Sequence, residues 1–166
     1  MDEVRRYVIA GGDPATRHEI ICQLGREGYM ANENVTPYVM GLMLKENPRT
    51  PLEEIARGIL STQVDWETTI PSCVDTLVMD ESYIDKVAEL PDHMKHLPMK
   101  EGYIPSYDCV FFLEGGDPCK TYAAKAMYHA LGVPVMDIRH DIETYDPVIP
   151  SNDISERMGM RREARG

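Results

Sequence analysis

Tyr7-Val8-Ile9-Ala10-Gly11-Gly12-Asp13-Pro14-Ala15-Thr16-Arg17-His18 is the stretch on which the fold turns. An apolar run stops at a glycine pair. Asp13 then has the chemistry of an N-cap, and Pro14 suits the first helical position because no N–H partner is needed there. The stretch reads as strand, tight turn and helix. Unpaired N–H groups at such a helix start attract anions, so the backbone has the layout of a phosphate-binding loop.

The same punctuation recurs further along. Tyr107 to Leu113 is the clearest strand in the chain, Gly115-Gly116-Asp117-Pro118 follows it, and Cys119 to Leu131 reads as a helix stopped by Gly132. Around the first turn, strand Arg6 to Ala10 leads into a helix to about Glu27, striped with Ile20, Ile21 and Leu24. Tyr29 to Glu33 is a short second strand. Thr36-Pro37 opens a helix carrying Val39, Met40, Leu42 and Met43; Thr50-Pro51 opens another with Leu52, Ile55, Ala56, Ile59 and Leu60, extending to about Thr68. Val74 to Asp80 is a central strand ending in an acid. Ser82 leads into a short helix to about Leu90, Pro91 to Pro105 is an irregular excursion, and Val133 to Ile138 is the last strand.

Strands alternating with helices predict a three-layer α/β sandwich with a mainly parallel sheet of about five strands. Loops at the carboxyl ends of such strands gather in one crevice. Both Gly-Gly-Asp-Pro turns, and Asp80, are therefore expected on one rim. Residues 1–140 should form this single domain. Residues 141–166 read as a charged tail with Arg157, Arg161, Arg162 and Arg165, loosely held or used in a subunit contact.

Composition narrows the classes of function. With 17 Lys plus Arg against 28 Asp plus Glu, the net charge of −11 argues against sequence-independent binding of nucleic acid or anionic membrane, which needs a positive field. Any bound nucleotide must then be held by local dipoles or a metal. No run approaches the roughly 18 apolar residues of a membrane span, and the acidic start Met1-Asp2-Glu3 lacks the features of a signal peptide. A cytoplasmic protein is the expectation. Cys22, Cys73, Cys109 and Cys119 form no Cys-x-x-Cys pair and read as reduced core thiols, with Cys119 beside a glycine turn the one to watch for reactivity.

In this order the elements resemble the small P-loop kinase-like ATPases, including nicotinamide-riboside-kinase-like and thymidylate-kinase-like domains, over roughly Arg5 to Ile138. Gln63 and Glu67 look like the family's glutamine-and-glutamate helix, and Asp80-Glu81-Ser82-Tyr83-Ile84-Asp85 like its Asp-Arg strand end. The resemblance implies a nucleotide and Mg²⁺ as cofactors. Gly11, Gly12, Thr16, Arg17, His18 and Lys120 would face the nucleotide, and Asp80 would be the catalytic residue and metal ligand.

Departures from the family pattern fall on the chemistry. A working loop reads Gly-x-x-x-x-Gly-Lys-Ser/Thr. Here Thr16 stands for the second glycine, Arg17 for the lysine and His18 for the hydroxyl residue that holds Mg²⁺. Asp13 adds a carboxylate where polyphosphate would sit; like charges 4 Å apart repel by about 1 kcal/mol in water and more at lower dielectric. Glu81 reverses the sign of a phosphate-contacting arginine, and Lys120 and Lys125 replace the arginines between the last two strands. The expectation is a divergent nucleotide- or phosphate-binding protein with lost or altered phosphotransfer.

Two alternatives come from other classes. Tyr107 to Asp117 and Ala130-Leu131-Gly132-Val133-Pro134-Val135 are similar to parts of the nucleoside-deoxyribosyltransferase-like Rossmann proteins. Their nucleophilic glutamate would fall near Ala124, on a helix that contains no acid. A non-catalytic interaction protein, including a homo-oligomer, is the other. Asp80, Glu81 and Asp85 form a rim cluster able to bind Mg²⁺ or act as a base; Asp92, His93 and His96 have metal-compatible spacing, and Arg139-His140-Asp141 follows the last strand into the same crevice.

Overall fold

The computed structural model describes residues 3–97, 103–138 and 148–165. Its elements are β1 (Arg5–Gly11), α1 (Pro14–Arg26), β2 (Met30–Asn32), α2 (Val35–Glu46), α3 (Leu52–Thr68), β3 (Thr76–Asp80), α4 (Tyr83–Glu89), β4 (Cys109–Leu113), α5 (Pro118–Ala130), β5 (Val135–Ile138) and α6 (Val148–Arg165). The strands form one five-stranded sheet in the order β2-β3-β1-β4-β5, and every pairing is parallel. This is the expected three-layer α/β architecture. Arg139-His140-Asp141 lies outside the described residues.

Alternation along the strands divides the core. Val8, Ala10, Leu77, Met79, Val110 and Phe112 turn to one face, where α3 packs with Leu60 and Val64, α4 with Tyr83 and Ile84, and α5 with Ala124 and Tyr128. Tyr7, Ile9, Val78, Phe111 and Leu113 turn to the other, covered by Ile20, Ile21 and Leu24 of α1. Because strand side chains point alternately up and down, a parallel sheet buried on both faces must be apolar nearly throughout, as β1, β3 and β4 are.

Three expectations are corrected, and α2 shows which of its apolar residues are buried. The C-terminal segment is not loosely held over its helical part: α6 packs on α1, with Ile154 and Met158 buried in the core. A stretch rich in charge still carries the apolar spacing i, i+4 that one helix face needs. On α2 only Val35 and Val39 are buried, while Met40 and Leu42 are exposed. The turn before α2 is capped by Asn34 rather than opened by Thr36. Of the cysteines, only Cys109 is buried; Cys22 is half-buried and Cys73 and Cys119 are exposed.

The two glycine turns are in backbone contact. Gly11 pairs with Leu113 across the β1–β4 ladder, so the turns leave the sheet side by side. Gly11, Gly12, Gly115 and Gly116 all have φ between +60° and +97°, the left-handed region that a side chain disfavours. A Cβ on Gly116 would lie 2.7 Å from the Gly12 carbonyl oxygen. The repeated sequence is thus a matched pair of turns that lets two backbones touch.

Candidate functional site

A cavity of about 430 Å³ opens at the carboxyl edge of the sheet, between the ends of β1 and β4. Order β2-β3-β1-β4-β5 makes this the point where successive crossovers diverge, the usual ligand crevice of an open α/β sheet. Gly11, Gly12 and Gly116 line it with Phe112 and with Ala124 of α5. The acidic residues Asp13, Glu81, Asp85, Glu89 and Asp117 also line it, together with the basic residues Arg17 and Lys120.

Two of the helices that start at the cavity, α1 and α5, are capped by the chain's own aspartates. Asp13 Oδ2 accepts from the Thr16 amide at 3.3 Å and from the Thr16 hydroxyl at 3.4 Å. Asp117 Oδ1 accepts from the Cys119 amide at 2.9 Å. These are the positions a bound phosphate takes at a helix N-terminus. Pro14 and Pro118 remove a further donor at each.

Arg17 does not project toward the cavity as a free cation. Its Nε donates to Asp80 Oδ1 at 2.8 Å and its Nη1 to the Gly11 carbonyl at 2.7 Å, with Nη2 3.5 Å from Glu81. Burial works against its charge, but Glu81 and Asp80 outweigh this and raise its pKa. Burial pushes the Asp80 carboxyl up, and Arg17 pulls it only part of the way back. Asp80 itself is not among the cavity-lining residues.

Glu81 is the centre of a second group. Lys86 Nζ lies 3.0 Å and Asn34 Nδ2 2.6 Å from its Oε1, and Lys86 also donates to Asn34 Oδ1 at 2.7 Å. Burial raises the Glu81 pKa, but Lys86 and Arg17 together win and hold it below the usual range. Its backbone sits at φ 62°, the one non-glycine residue with positive φ among those described, a strain held by these contacts. Next to it, Ser82 and Asp85 form a capping box at the start of α4. Tyr128 of α5 reaches across to donate to Asp85 Oδ2 at 2.6 Å and to share a short hydrogen bond with Ser82. Burial first, then the charge of Glu81, pushes the Asp85 carboxyl up to about 7.

Glu67, which with Gln63 looks like the glutamine-and-glutamate helix of the resemblance, is turned into the protein. It accepts from Gln63 Nε2 and the Tyr83 amide, both at 2.8 Å, from Tyr103 at 2.9 Å, and from Tyr107 through a short bond. Burial raises its pKa against those donors. Neither residue lines the cavity.

The expected phosphate-facing residues therefore divide. Gly11, Gly12, Arg17 and Lys120 line the cavity; Thr16, His18 and Asp80 do not. Thr16 is buried beneath the Asp13 cap, and His18 points outward on α1 next to Cys22. Lys125 pairs with Asp137 at 2.6 Å rather than facing the cavity. Asp92, His93 and His96 are exposed and are not brought together as a metal cluster among the described residues. Sequence reasoning missed Lys86, Asn34 and Tyr128; only the Ser82-x-x-Asp85 spacing hinted that this helix start was special.

An all-parallel sheet in this order, with a glycine turn and helix N-terminus at its carboxyl edge, defines a P-loop kinase-like α/β fold. A deoxyadenosine kinase from M. mycoides, solved with the products dCMP and a flexible dCDP bound, matches it with a TM-score of 0.59 at 11% identity, covering 93% of this chain and 99% of that one. No protein-family model and no curated protein sequence matches this chain. Among the described residues no helix is long and apolar enough to cross a membrane.

Proposed function

We propose that this chain binds a nucleoside or nucleoside monophosphate in the carboxyl-edge cavity, as a divergent P-loop-like protein whose phosphotransfer has been lost. The observation that carries the reading is the pair of N-cap carboxylates, Asp13 and Asp117, at the starts of α1 and α5, the two helices that follow the glycine turns at the cavity. A polyphosphate approaching either start meets a negative charge and a proline in place of donors. The hydroxyls and amino groups of a nucleoside instead meet an acidic lining that includes Asp13, Glu89 and Asp117, with Lys120 available for a single phosphate. A volume of about 430 Å³ suits a small organic molecule.

Asp80 in this reading is the partner of Arg17 and not a base or Mg²⁺ ligand, since its near oxygen is already committed to the guanidinium. A glycosyl-transfer reading has no carboxylate on α5 to serve as nucleophile: Ala124 is at the expected place. Calorimetry and thermal shift with nucleosides, nucleoside monophosphates and ATP, each with and without Mg²⁺, test the proposal. A ligand that binds only the folded state raises the melting temperature. A shift with nucleosides or monophosphates, none with Mg²⁺–ATP and no phosphorylated product supports it. Tighter binding of Mg²⁺–ATP, product formation, or silence across the panel overturns it, the last in favour of an interaction protein.

A further inference from the structure

Away from the cavity, one group of side chains has the composition of a metal site. His18 and Cys22 stand at i and i+4 on α1, and Glu33, the residue after β2, reaches the same spot. One ligand atom from each lies within 4.8 Å of the other two. Cys22 Sγ is 3.6 Å from His18 Nε2. A tetrahedral zinc ion, with bonds of about 2.0 Å to nitrogen and about 2.3 Å to sulfur, separates those two atoms by about 3.6 Å.

We propose that His18, Cys22 and Glu33 bind a Zn²⁺-class divalent ion, with the fourth position left to water or an incoming ligand. The donor set selects the metal: a thiolate and an imidazole favour Zn²⁺ over Mg²⁺ or Ca²⁺, which take oxygen shells. Two ligands are fixed by one helical turn, so little order has to be gained on binding. The third comes from a different element, and the ion therefore fastens α1 to the edge strand β2, whose three residues are only partly buried. His18 and Glu33 are exposed and Cys22 is half-buried, which leaves an entry path. The site is independent of the nucleoside reading, because none of the three lines the cavity.

The full chain, freed of metal with a chelator, is titrated with Co²⁺ and then Zn²⁺ while absorbance is followed. One equivalent of Co²⁺ is expected to give a near-ultraviolet thiolate-to-metal band that Zn²⁺ displaces, with a rise in melting temperature on Zn²⁺ addition. Cys22→Ser should abolish the band. His18→Ala and Glu33→Gln should each weaken binding by more than about tenfold, the scale on which losing a mere ligand-orienting group already acts. No saturable Co²⁺ spectrum in the parent chain overturns the proposal, as does a band that survives Cys22→Ser and so belongs to another cysteine. If circular dichroism shows Cys22→Ser unfolded, the exposed His18→Ala decides: unchanged affinity there rejects the site.

Discussion

Arg17 Nε donates to Asp80 Oδ1 at 2.8 Å, and both side chains are buried where β1, α1 and β3 meet. One guanidinium therefore closes the glycine turn, through Gly11, and neutralises the carboxyl end of β3 beside it. Arg17→Ala leaves Asp80 and Glu81 without that cation, and breaking a buried pair from one side costs about 3–5 kcal/mol. Urea unfolding measures it. A loss below about 1 kcal/mol, on the scale of an exposed pair, would mean that Arg17 is free to serve a ligand instead.

Gly116→Ala tests the contact between the two turns. The new methyl must enter at φ 80°, 2.7 Å from the Gly12 carbonyl oxygen and 3.2 Å from the Gly12 nitrogen, both backbone atoms that cannot swing aside as a side-chain end can. A destabilisation of about 1–3 kcal/mol is expected from the backbone conformation alone, with more from the clash. Gly25→Ala, on the exposed side of α1 with open space around it, is the matching control and should be neutral or stabilising.

Asp85 predicts a pH dependence with a definite sign. Its carboxyl is pushed from 3.8 to about 7 by burial and then by Glu81, while Tyr128, the Ser82 amide and Lys86 pull the other way. Between those values the folded protein holds a proton that the unfolded chain has released, so stability falls as pH rises from about 4 to about 7. Glu67 contributes in the same direction. Asp85→Asn keeps an acceptor for the Ser82 amide and removes its own part of the slope; chemical unfolding at pH 5 and pH 8 for both proteins reads the difference. An identical slope in the variant would contradict the assignment.

Glu67→Ala strands Gln63, Tyr103, Tyr107 and the Tyr83 amide around a buried hole. Each buried donor left without a partner costs about 1–3 kcal/mol. Loss of cooperative folding, or a fall of at least about 3 kcal/mol, is the outcome expected in thermal or urea unfolding. Glu67→Gln, which keeps acceptor oxygen in place, should cost less. A small effect of Glu67→Ala would show that these tyrosines find water instead.

Ile154→Ala measures how firmly α6 belongs to the domain. The side chain is fully buried against the α1 face, and truncating such a residue costs about 2–5 kcal/mol. Chemical unfolding of the variant decides between that loss and a peripheral helix, for which the change would stay within about 0.5 kcal/mol.

Local rules were enough for the elements and for the rim. Asp13-Pro14 and Asp117-Pro118 announce their helices, because a cap and an N1 proline act within four residues, and apolar β1, β3 and β4 announce a doubly covered sheet. From that alternation the meeting of the two Gly-Gly-Asp-Pro turns at one edge could also be read. What only tertiary structure decided is which charges face the cavity. Arg17 bends back to Gly11 and Asp80, Glu67 turns inward to three aromatic neighbours, and Lys86 reaches Glu81 from α4. Each of those choices is a competition between burial and a partner far away in the chain, and spacing along a sequence carries no information about which partner wins. His18, Cys22 and Glu33 are the same case: two of them are a helical turn apart on paper, and the third arrives only when β2 is laid beside α1.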